Sequence, residues 1–215
     1  MADHDASSSE SRSKYDFTYD WFSGYVPIWN ALLPSIKPCK VLEIGSFEGR
    51  SACYLIESVA AERDLEIHCI DTWEGGTEHS ELDMPAVEER FRKNTALAIG
   101  SVPHDVNLVV HRTTSLRALT QLIVSGHTSS FDLIYVDGSH QAPDVLVDAV
   151  LAFNLLRIDG FLVFDDYLLT MEPLGEQNPF NMPKPAIDSF VNIYQRKLLV
   201  LPIHLSQLYM RKLSA

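Results

Sequence analysis

Residues 40–49 of the chain read KVLEIGSFEG, an apolar run that stops at a glycine. A short apolar run of this kind is typical of a buried strand, and the glycine after it is typical of a tight turn. The next residues, SACYLIESVAA (51–61), carry apolar side chains at helical spacing. The sequence therefore predicts a strand, a glycine-containing loop and a helix in succession, which is the first unit of an α/β fold.

The same alternation continues through the centre of the chain. Further strands are predicted at EIHCI (66–70), NLVVH (107–111), FDLIYV (131–136) and FLVF (161–164), and helices at 85–98, 115–124 and 143–156. Regular alternation of strands and helices predicts a parallel sheet that is covered by helices on both faces.

The last part of the chain departs from this pattern. After a predicted helix at 185–194, two strand-like runs follow, KLLVLPI (197–203) and LSQLYMRK (205–212). The connection between them is too short for a parallel crossover, so the two strands must form an antiparallel hairpin. We therefore predict an α/β fold with a doubly wound, mostly parallel, Rossmann-like sheet of seven strands that ends in a C-terminal antiparallel hairpin.

The beginning of the chain has a different composition. Residues 1–14 are polar, charged and rich in serine, which predicts a disordered tail. Residues 15–37 are aromatic and apolar, and they predict an N-terminal helical layer, a lid over a site, or a surface for a homodimer. The length of 215 residues suits one domain, which we place at 15–215.

Composition excludes several classes of protein. No apolar run approaches the roughly 20 residues that span a bilayer, and the N-terminus has no apolar signal core, so we predict a cytoplasmic protein without a membrane partner. The net charge of -12 disfavours nucleic acid, whose binding depends on Lys and Arg. Cys39, Cys53 and Cys69 lack the C-x-x-C spacing of a zinc ribbon and are too scattered for a disulfide scaffold.

The loop after the first predicted strand is the first candidate site, because ligands of open parallel sheets bind at the carboxyl ends of the strands. Its glycines, Gly45 and Gly49, have G-x-x-x-G spacing, and Glu43 and Glu48 bracket the turn. A dinucleotide site uses G-x-G-x-x-G to bind a pyrophosphate, which two carboxylates would repel. The loop suits a ligand with a sulfonium and an amine, such as S-adenosylmethionine. The alternative is a plain junction between strand and helix.

The second and third predicted strands provide candidates for binding the nucleoside part of such a ligand. Asp71 ends the second strand, where an acidic residue can accept hydrogen bonds from ribose hydroxyls. It is followed by Thr72 and by Trp73, which either packs against adenine or belongs to the core. Thr114 and Ser115 follow the third strand and either bond adenine or cap the next helix.

Three segments together resemble a known family: VLEIGSFEGRSA (41–52), CIDTWEGG (69–76), and FDLIYVDGSHQAPDVLVDAVLAFNLLRIDGFLVFDDY (131–167). They resemble the class I S-adenosylmethionine-dependent methyltransferase superfamily, and most of all its branch of macrocin-type sugar O-methyltransferases and other small-molecule O-methyltransferases. The resemblance implies a seven-strand sheet that ends in a hairpin, with Asp71 at the ribose. It also implies the following contacts at the methionine end of the cofactor: Glu43, Gly45 and Gly49. Ser46, Thr72 and Asp137 complete the predicted cofactor contacts.

A cluster of acids is predicted at the same edge of the sheet, because Asp137 ends the fourth strand and Asp165 and Asp166 end the fifth. Three close carboxylates repel one another unless a proton or a cation neutralises them. A divalent ion such as Mg2+ would bind there and lower the pKa of an acceptor hydroxyl. The arrangement resembles that of cation-dependent O-methyltransferases. The alternative is that Asp137 contacts the cofactor while Asp165 and Asp166 cap loops.

A histidine lies close to these acids in sequence. His140 follows Asp137 in the motif D-G-S-H, and an imidazole there suits a general base. It could instead be a metal ligand or a loop histidine that bonds to backbone. In the long loop after Asp71, Glu78 and His79 either line the acceptor pocket or are solvated.

These observations predict an in-line displacement in which an acceptor oxygen attacks the sulfonium methyl group, with His140 and Asp137 as catalytic residues. The acceptor is predicted to be a small molecule: a sugar hydroxyl, a phenol, a carboxylate and a nitrogen all remain open. Two rivals are a nicotinamide-dependent oxidoreductase and a non-catalytic ligand-binding module on the same fold.

Overall fold

The computed structural model describes residues 14–76, 79–203 and 205–215. The tail predicted at 1–14 lies outside these residues except for Lys14, and Glu78 of the predicted acceptor pocket also lies outside them. None of the helices in the described ranges is both long and apolar enough to pass through a bilayer.

Seven strands form one sheet, in the order β3-β2-β1-β4-β5-β7-β6. The first five strands are parallel, whereas β7 pairs antiparallel with both β5 and β6. The fold class is therefore confirmed. The strands are β1 (Lys40–Ile44), β2 (Leu65–Asp71), β3 (Val106–Arg112), β4 (Phe131–Val136), β5 (Leu156–Phe164), β6 (Leu198–Val200) and β7 (Leu208–Lys212).

Six α-helices in the described part of the chain cover the two faces of the sheet. They are α1 (Val26–Ile36), α2 (Arg50–Ala60), α3 (Met84–Ile99), α4 (Ser115–Val124), α5 (Ala142–Leu155) and α6 (Pro183–Tyr194). Successive side chains of a strand point to opposite faces, so Val41 and Leu42 of β1 enter different cores. The core around Val41 is closed by α1, α2 and α3, and the core around Leu42 by α4, α5 and α6.

Several boundaries differ from the prediction. The two strands of the terminal hairpin are shorter than the predicted ranges 197–203 and 205–212. Strand β5 begins at Leu156 rather than at Phe161, because its first half, which includes Arg157 and Gly160, lacks an apolar pattern yet still lies beside β4. In the N-terminal layer only Ser23–Tyr25 (a 3-10 turn) and Val26–Ile36 (α1) are helical. The preceding residues, 14–22, have no regular helix or strand and lie against α2 and α3; we call them the N-terminal segment.

The position of a ligand crevice follows from the strand order. From β1 the chain runs outward to β2 and β3, whereas β4 lies on the other side of β1 and leads to β5. The loops after β1 and β4 therefore turn to opposite faces, and ligands of open α/β sheets bind in the crevice between such loops. Asp71, Asp137 and Asp166 all lie at this edge, at or just after the ends of their strands.

Candidate active site

Gly45 lies at the closest approach between the loops after β1 and β4. Its φ is 84°, in the left-handed region that favours glycine, and its N–H donates to the Ile70 carbonyl at 2.8 Å. The N–H of Asp137 donates to the Ile44 carbonyl at 2.7 Å. A Cβ on residue 45 would lie 1.8 Å from the carbonyl oxygen of Asp137. Only glycine fits this position, so the two loops form one continuous floor.

Gly49 closes the same loop and begins α2. Its φ of 82° is again left-handed, and a Cβ there would lie 2.9 Å from the Phe91 ring. Between the two glycines, Phe47 also has a positive φ, of 46°. The G-x-x-x-G spacing thus serves a tightly folded loop in which both glycines are required by geometry.

Glu43 is fully buried beneath this loop. The hydroxyl of Ser51 donates to its Oε1 at 2.6 Å, and the hydroxyl of Ser46 donates to its Oε2. Burial raises the pKa of Glu43 to about 6, although the two hydroxyls oppose this shift. The Glu43 carboxyl group therefore holds the loop after β1 in place through these hydrogen bonds. The contacts of Glu43 and Ser46 with the cofactor stay predictions.

Glu48 has a different role from the one that its position beside the glycines suggested. It is buried, and it accepts hydrogen bonds from Arg90 Nε and from both the backbone N–H and the hydroxyl of Thr18, each at 2.7 Å. Arg90 neutralises the carboxylate, so the argument against a pyrophosphate rests on Glu43 alone. Glu48 fastens the N-terminal segment to the loop after β1.

We expect Glu48→Ala to lower the free energy of unfolding by about 2 kcal/mol, because it leaves Arg90 and the Thr18 N–H without their buried acceptor. Denaturant unfolding measures this loss, and hydrogen exchange should show faster exchange of the Thr18 amide. Glu62→Ala is the matched control, since Glu62 forms an exposed pair with Arg63 that is worth little. Equal losses in the two variants would contradict the role of Glu48.

Asp71 connects the loops after β1 and β2. Its Oδ2 accepts the N–H groups of Ser46 and Phe47, both at 2.9 Å, and its Oδ1 accepts the N–H of Trp73 at 2.8 Å. A carboxylate has about four acceptor positions, so one on Oδ1 is left for a hydroxyl such as that of a ribose.

Three residues that were predicted to lie beside the nucleoside, Trp73, Thr72 and Thr114, lie in different environments in the structure. Trp73 is buried against Phe91, and its Nε1 donates to the Phe47 carbonyl at 2.9 Å, so its indole belongs to the core. The Thr72 hydroxyl accepts the N–H of Glu74. Thr114 is the N-cap residue of α4, but its side chain makes no capping bond within the described chain.

Ser115 begins α4 and bonds to a residue that no sequence pattern indicated. Its hydroxyl makes a hydrogen bond to the Asp148 carboxyl group, which lies on α5 and is buried between the two helices. The other oxygen of Asp148, Oδ1, has no hydrogen-bond partner among the described residues. Burial raises the pKa of Asp148 to about 7.

The three predicted acids divide into two groups. Asp165 turns inward: it accepts from the Tyr135 hydroxyl, from Gln207 Nε2 at 3.1 Å and from the Asp166 N–H at 2.8 Å. Burial raises the pKa of Asp165 to about 6, and burial together with the nearby carboxylates holds the pKa of Asp137 well above its usual range. Neither Tyr135 nor Gln207 was predicted, although each is a polar side chain in or beside an apolar strand.

Asp166 turns toward His140. Its φ of 52° is left-handed, and its Oδ2 lies 3.0 Å from His140 Nε2. One ligand atom each from Asp137, His140 and Asp166 lies within 4.8 Å of the others, whereas Asp165, which was predicted as a ligand, is not in this group. Two carboxylates and an imidazole fit a divalent ion, and the imidazole favours a transition metal over Mg2+.

Comparisons with known proteins agree with this geometry. A family model described as a methyltransferase domain matches residues 42–167, more than half of the chain. Among curated protein sequences no significant match is found.

Solved structures share the fold at low sequence identity. The O-methyltransferase TomG from Streptomyces achromogenes, involved in tomaymycin synthesis and solved in complex with SAM, is 20% identical with a TM-score of 0.60, over 87% of this chain and 78% of that chain. An O-methyltransferase from Bacillus cereus in complex with SAH is 16% identical with a TM-score of 0.59, over 91% and 84%. MycE from the mycinamycin biosynthetic pathway, solved with Mg, SAH and mycinamycin VI, is 15% identical with a TM-score of 0.59, over 91% of this chain and 51% of that chain.

Proposed function

The chain belongs to the family of methyltransferase domains, and from that premise we propose that it transfers the methyl group of S-adenosylmethionine to a hydroxyl of a small molecule. The family model confirms the methyltransferase family that the sequence resembles. The fold shared with O-methyltransferase structures supports the small-molecule O-methyltransferase branch.

One observation carries the proposal: the pair His140–Asp166 lies next to the loop that follows β1. The carbonyl oxygen of Asp137 touches the Cα side of Gly45, and Asp137 belongs to the same group of ligand atoms as His140 and Asp166. A donor held by the loop after β1 would therefore adjoin groups that accept a proton, as methyl transfer to a hydroxyl requires.

S-adenosylmethionine, when bound, supplies an electrophilic methyl group on a sulfonium. The glycines of the loop after β1 let the backbone approach the methionine end, and the remaining acceptor position of Asp71 suits a ribose hydroxyl. We propose that S-adenosylmethionine contacts the residues predicted for it from the sequence, except Trp73, whose indole lies in the core. These residues are Glu43, Gly45, Ser46, Gly49, Asp71, Thr72, Thr114, Ser115 and Asp137.

The residues that follow β4 and β5 handle the proton. In the proposed transfer a carbon–oxygen bond forms, the carbon–sulfur bond breaks, and the hydroxyl proton passes to the hydrogen-bonded pair of His140 and Asp166. Asp166, 3.0 Å from His140 Nε2, stabilises the imidazolium that results. The Asp137 carboxyl group orients the acceptor hydroxyl. A divalent ion held by Asp137, His140 and Asp166 would instead bind that hydroxyl and lower its pKa.

Calorimetry with S-adenosylhomocysteine and transfer of a labelled methyl group to a panel of hydroxyl compounds test the function. We expect wild-type protein to bind S-adenosylhomocysteine and His140→Gln to bind it equally well. Turnover of His140→Gln should fall about 100-fold or more, because the group that takes the proton is lost. His104→Gln is the control, since His104 is exposed and lies before β3, at the opposite edge of the sheet.

The possible outcomes separate the parts of the proposal. If the folded wild-type protein does not bind S-adenosylhomocysteine, the proposed methyltransferase function is rejected. If it binds S-adenosylhomocysteine but transfers no methyl group to any acceptor, the result favours a non-catalytic ligand-binding module. Turnover that falls with a chelator and returns with Mn2+ or Mg2+ supports the ion. If a chelator leaves turnover unchanged, no metal ion is needed, and His140 and Asp166 alone take up the proton of the acceptor hydroxyl.

A further inference from the structure

Five side chains with polar groups meet inside the protein at the base of the candidate active site, and we call them the amide network: Trp29, Tyr135, Asp165, Gln207 and Tyr209. All five are buried, and Tyr135 and Gln207 are 0% and 1% exposed. Polar groups at such positions cost free energy unless they find hydrogen-bond partners. The partners within the amide network therefore indicate what these side chains do.

The register of the sheet explains why these residues meet. Val163 of β5 pairs with Tyr135 of β4 on one side and with Tyr209 of β7 on the other. Side chains two residues apart on a strand point to the same face, so Asp165 and Gln207 lie beside each other on that face, toward the ligand edge of the sheet. Their side chains are joined by a hydrogen bond of 3.1 Å.

The side-chain amide of Gln207 has one favourable orientation in this network. Its Oε1 accepts from Trp29 Nε1 at 3.0 Å and from the Tyr209 hydroxyl. Its Nε2 donates to Asp165 Oδ2 at 3.1 Å and to the Tyr135 hydroxyl oxygen at 3.3 Å. A reversed amide would set N–H against N–H at Trp29 and oxygen against oxygen at Asp165, so α1 and β7 direct its donors to the active-site side.

The Tyr135 hydroxyl group lies between two of the acids. It donates to Asp165 Oδ2, and it lies within hydrogen-bond distance of Asp137 Oδ2, at 3.2 Å. Asp165 also accepts the N–H of Asp166 at 2.8 Å and so stays turned inward. The amide network therefore reaches Asp137 through one atom, the hydroxyl oxygen of Tyr135, and engages one of the two carboxyl oxygens of Asp137.

The ring that carries this hydroxyl is rigidly packed. The Tyr135 ring meets Trp29 edge-to-face with ring centroids 5.3 Å apart, and it meets Phe22 edge-to-face at 6.2 Å. Packing alone does not require the hydroxyl, because buried rings elsewhere in the sheet, at Phe131 and Phe164, have none. We therefore attribute the Tyr135 hydroxyl to the acids that it contacts, since a buried hydroxyl is costly without partners.

Asp137 connects the amide network to the candidate active site. It lines the same depression as His140 and Asp166, and one ligand atom from each of the three lies within 4.8 Å of the others. A displacement of about 1 Å in a group that orients a reactant can cost about 100-fold in rate. A rigidly held hydroxyl at Asp137 Oδ2 opposes such a displacement.

We propose, building on the methyltransferase function above, that Tyr135 is a positioning residue of the active site. Its hydroxyl, to which Gln207 donates, fixes the Asp137 carboxyl group in the direction in which it meets the acceptor hydroxyl. Because Tyr135 is fully buried, it acts through Asp137 and not on the ligand. Through Gln207, α1 and β7 contribute to the geometry of the active site.

Tyr135→Phe tests this role, because it removes the hydroxyl and keeps the ring. With whichever hydroxyl compound the wild type methylates, kcat should fall at least about tenfold, since Asp137 is no longer held. Calorimetry should show unchanged affinity for S-adenosylhomocysteine, whereas a merely structural role would loosen the loops after β1 and β4 and lower that affinity as well. Tyr54→Phe is the matched control and should leave kcat unchanged, since the Tyr54 hydroxyl bonds to Asn30 where α2 meets α1.

A double-mutant cycle shows whether Tyr135 acts through Asp137. In the Asp137→Asn background, Tyr135→Phe should change kcat by less than about twofold. Three results would overturn the positioning role: an equal fall of kcat in both backgrounds, a fall no larger than that of Tyr54→Phe, or a loss of S-adenosylhomocysteine affinity together with turnover.

The contact itself is measured without turnover, by NMR of protein labelled with 13C at the tyrosine Cζ. The resonance that disappears in Tyr135→Phe belongs to Tyr135. Asp137→Asn should shift this resonance, and Asp64→Asn, an exposed change just before β2 at the opposite edge of the sheet, should not. An unshifted resonance overturns the proposal and leaves the methyltransferase function in place, whereas failure of the folded wild type to bind S-adenosylhomocysteine rejects that function and the role of Tyr135 with it.

Discussion

Gly45→Ala is expected to lower the free energy of unfolding by about 4 kcal/mol or more, since it combines left-handed strain with overpacking. A methyl group at this position would meet the carbonyl oxygen of Asp137 at 1.8 Å and its carbonyl carbon at 2.5 Å. These atoms are backbone and cannot rotate away, so the loops after β1 and β4 must separate. We expect affinity for S-adenosylhomocysteine to be lost along with stability.

Two other glycines serve as controls that separate the effect of left-handed backbone strain from the effect of overpacking. Gly126 has a φ of 90°, and a Cβ placed there would have no atom of the described residues within 4 Å, so Gly126→Ala should show the strain alone, about 1 kcal/mol. Gly24 has open space and no left-handed φ, so Gly24→Ala should be nearly neutral. Denaturant unfolding of the three variants gives the comparison. If Gly45→Ala is no less stable than Gly126→Ala, the close approach of the two loops is wrong.

Asp148→Asn is expected to stabilise the protein above neutral pH. Asp148 is buried with its Oδ1 unpartnered among the described residues, and burial raises its pKa from 3.8 to about 7. Between about pH 4 and 7 the unfolded chain has released this proton while the folded chain still holds it, so wild-type stability falls as the pH rises. The asparagine variant lacks this loss, and its advantage has a ceiling of about 4 kcal/mol above pH 7.

The direction of this pH dependence is tested by measuring the free energy of unfolding of the wild type and of Asp148→Asn at pH 5 and at pH 8. The advantage of Asp148→Asn should be larger at pH 8 than at pH 5 by at least about 1 kcal/mol. Glu43, Asp137 and Asp165 titrate in both proteins and cancel in the difference. Glu176→Gln, an exposed change away from Asp148, should lack this pH dependence. A constant or opposite difference would reject the buried-acid interpretation.

Local patterns account for most of the fold. The bounds of β1, β4 and α4 agree with the sequence, because each begins and ends where an apolar pattern meets polar or glycine residues. The start of β5 was missed because the residues there are held by their neighbour β4 and not by a pattern of their own. The path of the N-terminal segment depends on Glu48, 30 residues from Thr18, and no local pattern reports such a bond.

The candidate site was predictable in outline but not in the direction of each side chain. Parallel strands bring Asp137, Asp165 and Asp166 to one edge, as the alternation of strands and helices predicted. Which of the two neighbouring acids turns outward is set by the left-handed backbone of Asp166 and by Gln207, 42 residues from Asp165. The membership of the methyltransferase family decides against a nicotinamide-dependent oxidoreductase.

Asp71 has a consequence for the speed of ligand capture. Its three backbone hydrogen bonds fix the shape of the loop from Ser46 to Phe47 through contacts within the chain itself. The loop therefore needs no ordering step on encounter, and association should follow a single exponential whose rate rises in proportion to ligand concentration, without the plateau of a slow isomerisation. Removing the Asp71 carboxylate would then slow capture as well as weaken affinity.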